Sequence, residues 1–261
     1  MSRNQEKKKR KKGRGGGAIS TAVLLAAVCV FIFSAYQLTM VLVPYYTGGK
    51  EYDKVKELAI EQTDGNGEDG DNFKVDFEAL LKENPDTVGW LRLEEPSVIS
   101  YPIVKSSDNE EYLTKTFSAN DNRLGAIFMD MRNNPEFTER NTFIYGHNLK
   151  VGGEMFSQLN EYASEEFCKK YPYFYIYTPN GQKLTYRVFS AAVVKDTAEN
   201  YKITYATQEE FLDYEELCKA TSNYQVDVEL NSQSQIVSLS TCTNINDDER
   251  FLVQGVLVKE P

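Results

Sequence analysis

Three side chains in this sequence could do nucleophilic chemistry together: Cys242, His147 and Arg250. A free thiol with a pKa of about 8.5 is only a few per cent ionised at neutral pH, so a thiol nucleophile needs a cationic neighbour. Arginine carries that charge at every relevant pH, and a protonated imidazole supplies both charge and a transferable proton. His147 is the single histidine of the chain, so any imidazole chemistry must use it.

Local patterning says how these groups are presented. Residues 235–242 alternate with period two: Val237, Leu239 and Thr241 point one way, and Ile236, Ser238, Ser240 and Cys242 the other. Cys242 therefore leaves its strand on a small, polar face. Residues 243–249 hold three acids, two Asn and one aliphatic residue, Ile245, and read as a loop between antiparallel strands. Paired as a hairpin, those strands return Arg250 beside Cys242. His147 ends another short apolar run, Thr142-Phe143-Ile144-Tyr145-Gly146-His147.

The elements that must position these residues are mostly strands. Residues 88–93, 100–104, 126–129, 142–147, 173–177, 184–194, 235–242 and 251–258 are β-type runs separated by turn signals such as Pro179-Asn180-Gly181. Eight strands without a βαβ alternation predict a mainly β fold, a closed or nearly closed antiparallel-rich barrel. Two helices interrupt them. One spans 156–170, and the other spans 207–220 with a capping box at Thr207 and Glu210 and with Phe211, Tyr214, Leu217 and Cys218 on one face. Upstream, Asp76 caps a helix carrying Phe77, Leu80 and Leu81, which stops before Pro85.

Charge divides the chain. Of its 29 basic and 39 acidic residues, 8 and 1 lie in residues 1–17, a net +7; the remaining 21 and 38 give net −17. An acidic body argues against nucleic acid as a partner of the basic tail. Between Arg14 and Lys50 no residue is charged. The apolar run over 18–43 exceeds the roughly 20 residues that cross a bilayer and the roughly 7–15 of a signal-peptide core. It predicts a single-pass transmembrane helix with a cytoplasmic tail at 1–17 and the rest outside. Residues 44–71 follow as a juxtamembrane segment, with Tyr52, Val55, Leu58 and Ala59 at helical spacing. The Gly/Asp/Asn run at 63–71 reads as a linker, which sets a catalytic domain at 72–261.

The other cysteines read as small apolar residues. Cys29 lies in the apolar span, and Cys168 and Cys218 occupy apolar helix positions, with a bridge between the latter two as the competing reading. With no C-x-x-C and one histidine, neither a metal nor another cofactor is expected. An ordinary surface role for Arg250, paired with Asp247 or Glu249, competes with a role beside the thiol.

These residues carry a resemblance. Ser238-Leu239-Ser240-Thr241-Cys242 resembles the T-L-x-T-C signature of sortases, the membrane-anchored cysteine transpeptidases of Gram-positive surfaces, with Ser238 at its first position in place of Thr. Tyr145-Gly146-His147 and the strand carrying Arg250 match the rest of the catalytic set. Asn84-Pro85-Asp86-Thr87-Val88-Gly89-Trp90, Tyr101-Pro102-Ile103-Val104, Asp108-Asn109 with Tyr112-Leu113, and Gly125-Ala126-Ile127-Phe128-Met129-Asp130 resemble class B, as does the helix at 207–220. No Asp-Pro-aromatic lid motif of the pilus-building class precedes the core. The resemblance covers about residues 72–258.

It implies an eight-stranded sortase-type barrel behind a single transmembrane helix, with His147, Cys242 and Arg250 catalytic and with Asn109, Leu113, Tyr201, Ser240 and Thr241 lining the substrate groove. The implied substrates are secreted proteins with a C-terminal sorting signal. They would be cleaved through a thioester and passed to an amine of peptidoglycan or its precursor. A pilin-polymerising role, a purely hydrolytic cysteine peptidase and a non-catalytic wall-binding barrel remain as alternatives.

Overall fold

The computed structural model of the chain describes residues 15–62, 73–149 and 152–259. The 1–14 part of the basic tail and the linker run at 63–71 lie outside the described residues. Helix α1, Gly15–Ala59, continues through Pro44. Its early turns expose Leu24, Phe31 and Phe33, and the helix is long and apolar enough to cross a membrane. The chain divides into two units between Val43 and Pro44.

In the second unit the last turns of α1 bury Tyr52, Val55 and Ala59 in the main hydrophobic core. At about 100° per residue these three fall within one narrow stripe, whereas Leu58 lies a further 60° or so round the helix. Leu58, expected on the same face, is accordingly 49% exposed. The second compact unit runs from Pro44 to Pro261. Strand β1, Ile60–Gln62, pairs antiparallel with β2, Phe73–Val75. Helix α2, Phe77–Glu83, starts where the Asp76 carboxylate accepts the Ala79 N–H at 3.0 Å, and its cap Asn84 directly precedes Pro85. Leu80 is buried, while Leu81 is on the exposed side.

The barrel strands are β3 (Thr87–Leu93), β4 (Ser100–Val104), β5 (Ile127–Met129), β6 (Asn141–Tyr145), β7 (Tyr173–Tyr177), β8 (Lys183–Lys195), β9 (Ile236–Cys242) and β10 (Glu249–Val258). They are the eight strands expected from the sequence, each within two residues of its expected bounds. The closed order is β10-β8-β7-β3-β4-β5-β6-β9, with β9 returning to β10. Six neighbouring pairs are antiparallel, and β4/β5 and β6/β9 are parallel. The parallel β4/β5 pair is joined by the long crossover 105–126, and together with the connections 146–172 and 196–235 it carries the groove residues Asn109, Leu113, His147, Asp196 and Tyr201.

The helices differ in part from expectation. Residues 156–170 form a 3₁₀ stretch, Ser157–Ala163, followed by helix α3, Glu165–Lys170. The break falls at Ser164, whose hydroxyl accepts the Phe167 N–H and starts a new helix instead of continuing the old one. Helix α4, Gln208–Thr221, begins at Thr207 as its capping box predicts, and the Glu210 carboxylate reaches back to Ala206 N–H and to Lys202. Phe211, Tyr214 and Cys218 pack with Phe189, Ile236 and Val256 in a cluster separate from the main core, whereas Val237 and Leu239 belong to the main core. The two faces of β9 thus serve two different cores. Cys168 and Cys218 are buried, unpaired thiols, and Cys29 is exposed on α1.

Candidate active site

Register places the thiol and the guanidinium. Cys242 is the last residue of β9 and stands directly opposite Arg250 on β10. On its other side β9 runs parallel to β6, pairing Ser240 with Tyr145. The ladder continues one step further, with Gly146 N–H donating to Ser240 C=O at 3.2 Å and the Thr241 hydroxyl to Gly146 C=O at 2.7 Å. His147 therefore leaves β6 beside the end of β9. Gly146 is required by packing, because a Cβ there would collide with Ile127 and Phe156. Asn148 donates to the Cys242 carbonyl at 2.8 Å and Asn244 to the Asn148 carbonyl at 2.7 Å, so the loop after the thiol and the loop after the imidazole clasp each other.

The imidazole has a defined partner. His147 Nε2 lies 2.7 Å from the Leu113 carbonyl oxygen. A carbonyl only accepts, so Nε2 carries the proton, and Nδ1 is the nitrogen left to exchange one in the neutral ring. Arg250 is held from behind: Nη1 donates to the carbonyls of Asp247 at 2.7 Å and Glu249 at 3.0 Å, and Nη2 faces the Asp196 carboxylate at 3.5 Å. The loop acids considered as surface partners thus contribute backbone oxygens, and the ion pair is with Asp196.

A groove of about 620 Å³ runs past these groups and is lined by all eight residues singled out from the sequence. Several of the five expected substrate-groove side chains are already engaged. Asn109 donates to Asp130 at 3.1 Å and accepts the Met131 N–H at 2.7 Å, so it braces the turn after β5. Tyr201 stacks on Phe143 and shares a 2.7 Å hydrogen bond with Ser240. Burial is the main cause that pushes the Tyr201 phenol up to about 12, against the lowering effect of the Ser240 bond and Arg250. Leu113 lines the groove, and its carbonyl is what touches His147. Thr241 is buried and spends its hydroxyl on Gly146.

Further residues of the site escaped the sequence reading. Asp130, fully buried, takes two guanidinium bonds from Arg132 at 2.8 Å each and a phenol bond from Tyr145 at 2.8 Å. Burial alone would raise this carboxyl, but the Arg132 and Tyr145 hydrogen bonds outweigh it and hold Asp130 below the usual carboxylate range. Arg132, Asp196 and Tyr145 also line the groove. The sequence signal for the first pair was available: an Asp-x-Arg directly after an apolar strand. Among the described residues no group of His, Cys, Asp and Glu is arranged to hold a metal ion.

Comparison with known proteins agrees with this geometry. Residues 93–258 match the sortase domain family model. The chain is similar to sortase B of Listeria monocytogenes, at 35% identity over 88% of this chain and 92% of that one. It is also similar to sortase B of Staphylococcus aureus, at 30% identity over 72% and 77%. Among solved structures, Bacillus anthracis sortase B in complex with AAEK1 superposes with a TM-score of 0.72 at 29% identity, covering 84% of this chain and all of that one. A Staphylococcus aureus sortase B–substrate complex superposes at 0.66 with 28% identity, covering 71% and 85%. With a thiol, an imidazole and a guanidinium gathered at one end of a closed eight-stranded barrel, and with these relatives, the chain belongs to the sortase family of cysteine transpeptidases, on its sortase B branch.

Proposed function

We propose that this protein is a membrane-anchored transpeptidase that cleaves a C-terminal sorting motif on secreted proteins through a thioester on Cys242 and passes them to a peptidoglycan amine. The observation that carries the reading is the pairing of Cys242 with Arg250 in register, with His147 entering from the parallel neighbour strand. In this mechanism the Cys242 thiolate attacks the carbonyl of the scissile bond, and the oxyanion that forms takes hydrogen bonds from Arg250 donors not used on the 247–249 loop. As the tetrahedral adduct collapses, the C–N bond breaks and His147 gives a proton to the leaving amine. The thioester then remains until an acceptor amine adds, His147 removes the proton of that amine, and the thiolate departs. The Nε2–H···O=C bond to Leu113 supports Nδ1 as the atom of both proton transfers.

What supports anchoring is α1, whose uncharged early turns leave large apolar side chains exposed. The positive tail before it and the acidic body after it favour a cytoplasmic N-terminus and an extracellular catalytic unit.

Incubating the full chain in detergent with a peptide library, and identifying the acyl group on Cys242 by mass spectrometry, tests the reaction. Added amine should convert that adduct to an amide; an adduct that only hydrolyses would favour a peptidase. For topology, protease added to intact protoplasts should digest the chain after Pro44 and spare the N-terminal tail. Protection of the C-terminal unit would reverse the orientation and remove it from wall substrates.

A further inference from the structure

Tyr52 lies on the last turns of α1, far in sequence from the thiol and the imidazole, and is almost fully buried. Its phenol donates to the Gly125 carbonyl at 2.7 Å and accepts the Phe117 N–H at 3.1 Å. Both partners belong to the connection between β4 and β5. That connection folds back on itself through Ala126 N–H to Tyr112 C=O at 2.9 Å, and its next carbonyl, Leu113, holds His147 Nε2. Gly125 itself lies against the imidazole. It has φ +63°, and a Cβ added there would come within 2.8 Å of His147 Cδ2.

The same end of α1 holds this loop at further points. The Glu51 carboxylate accepts from Ser118 N–H and from Asn120 Nδ2, both at 3.1 Å, and Asn122 Nδ2 donates to the Pro44 carbonyl at 3.0 Å. The Tyr52 ring also meets Tyr101 edge-on at 5.3 Å, and the Tyr101 hydroxyl accepts the Met155 N–H at 3.3 Å. Met155 sits beside Phe156, whose N–H closes the histidine loop onto the His147 carbonyl at 2.9 Å. Tyr52 thus braces both walls around the imidazole, one through its hydroxyl and one through its ring.

Resting on the assignment of His147 as the proton-transfer group, we propose that Tyr52 is a positioning residue for the reaction, fixing the loop that sets the tautomer and orientation of His147. Packing alone does not account for a tyrosine here, since phenylalanine would fill the same space. The hydroxyl is what reaches Gly125 and Phe117, and without it a buried carbonyl and a buried N–H lose their partner.

Because the chain has one histidine, ¹⁵N-histidine labelling of the full chain in detergent micelles reports this ring alone. The wild type should show the Nε2–H tautomer with a slowly exchanging ring proton. Tyr52→Phe should mix the tautomers, speed that exchange and lower kcat for peptide transfer about tenfold or more, with KM changed less than about twofold. Glu51→Ala, at the accessible end of the same clamp, should move both readouts in the same direction and covers the case where Tyr52→Phe misfolds. Unchanged ring signals in the folded variants, or an unchanged kcat, would overturn the proposal, even with a lower melting temperature. A wild-type chain that transfers no peptide would instead defeat the functional reading, while the ring signals would still decide the positioning.

Discussion

The two sides of the groove are built by different means. On one side Cys242 and Arg250 face each other across an antiparallel ladder, and their spacing is fixed by strand register and one short loop. On the other side His147 stands just past the end of β6, and its ring is held by a carbonyl from the β4–β5 connection, itself gripped by α1. A ladder is hard to shift by one side chain, because a one-residue slip would turn every side chain on β9 to the wrong face. A loop held by individual hydrogen bonds has no such protection. The thiol side should therefore fail only when its own groups are changed, whereas the imidazole side should fail from a distance.

The largest expected effect breaks both sides at their centres. Cys242→Ala should abolish peptide transfer. His147→Ala should come close to it, losing at least the 10²–10⁴-fold typical of a general acid–base, because no second histidine can substitute. Both proteins should keep the wild-type circular dichroism and melting temperature, since neither side chain is buried in a core cluster. Substantial turnover by a folded His147→Ala protein would remove the imidazole from the mechanism.

Next comes the charge on the thiol side. Arg250→Lys keeps the positive charge but replaces a planar fork by a compact ammonium, which cannot span the Asp247 and Glu249 carbonyls while also facing substrate. Loss of one oriented donor to an oxyanion typically costs about 10²–10³ in rate. Peptide turnover should fall by that amount, while alkylation of Cys242 by a small reagent keeps a near-normal pH profile. A large upward shift of the alkylation profile would show that the main task of Arg250 is to hold the thiolate, and near-normal turnover would leave it as a source of field only.

The same contrast separates what could be read from the sequence. Short β-type runs bounded by turn signals were enough to find the eight strands, and the short polar loop at 243–249 was enough to pair Cys242 with Arg250, because both signals are local. The parallel pairing of β6 with β9 is not local: it joins residues across most of the C-terminal half, and only the resemblance supplied His147 as a neighbour of Cys242. Helical spacing marked Tyr52 as apolar-facing but said nothing of its hydroxyl, whose partners lie 65 and 73 residues away. Asn109 was expected at the groove and is there, yet its amide serves Asp130 and Met131, a use set by a turn that no periodicity reveals. The split of 156–170 is the reverse case, where a local signal, the capping serine Ser164, overrode an otherwise continuous helical pattern.

The smallest expected effect on turnover, and the one that sharpens the contrast most, is at Asp130. This carboxylate ties Asn109, Arg132 and Tyr145 together at the end of the groove without touching Cys242, His147 or Arg250. Its folded-state pKa lies below the ordinary value, so its contribution is present above the unfolded pKa of about 4 and disappears as the pH falls through the lower folded value. Asp130→Asn removes the charge and part of the hydrogen bonding, at a cost of about 1–2 kcal/mol at neutral pH. Denaturant titrations of the two proteins should therefore differ at pH 7, and the difference should shrink as the pH falls below the unfolded value of about 4 and vanish only in stronger acid, below the depressed folded-state value, where the wild-type carboxylate is itself protonated. Peptide turnover should change less than about threefold, since the substitution shifts a brace that Asn109 and the barrel strands also support. A stability difference that stayed constant into acid would mean that the charge on Asp130 is not what matters. A drop in turnover matching that of Arg250→Lys would mean that the far end of the groove grips the substrate as firmly as the thiol side does.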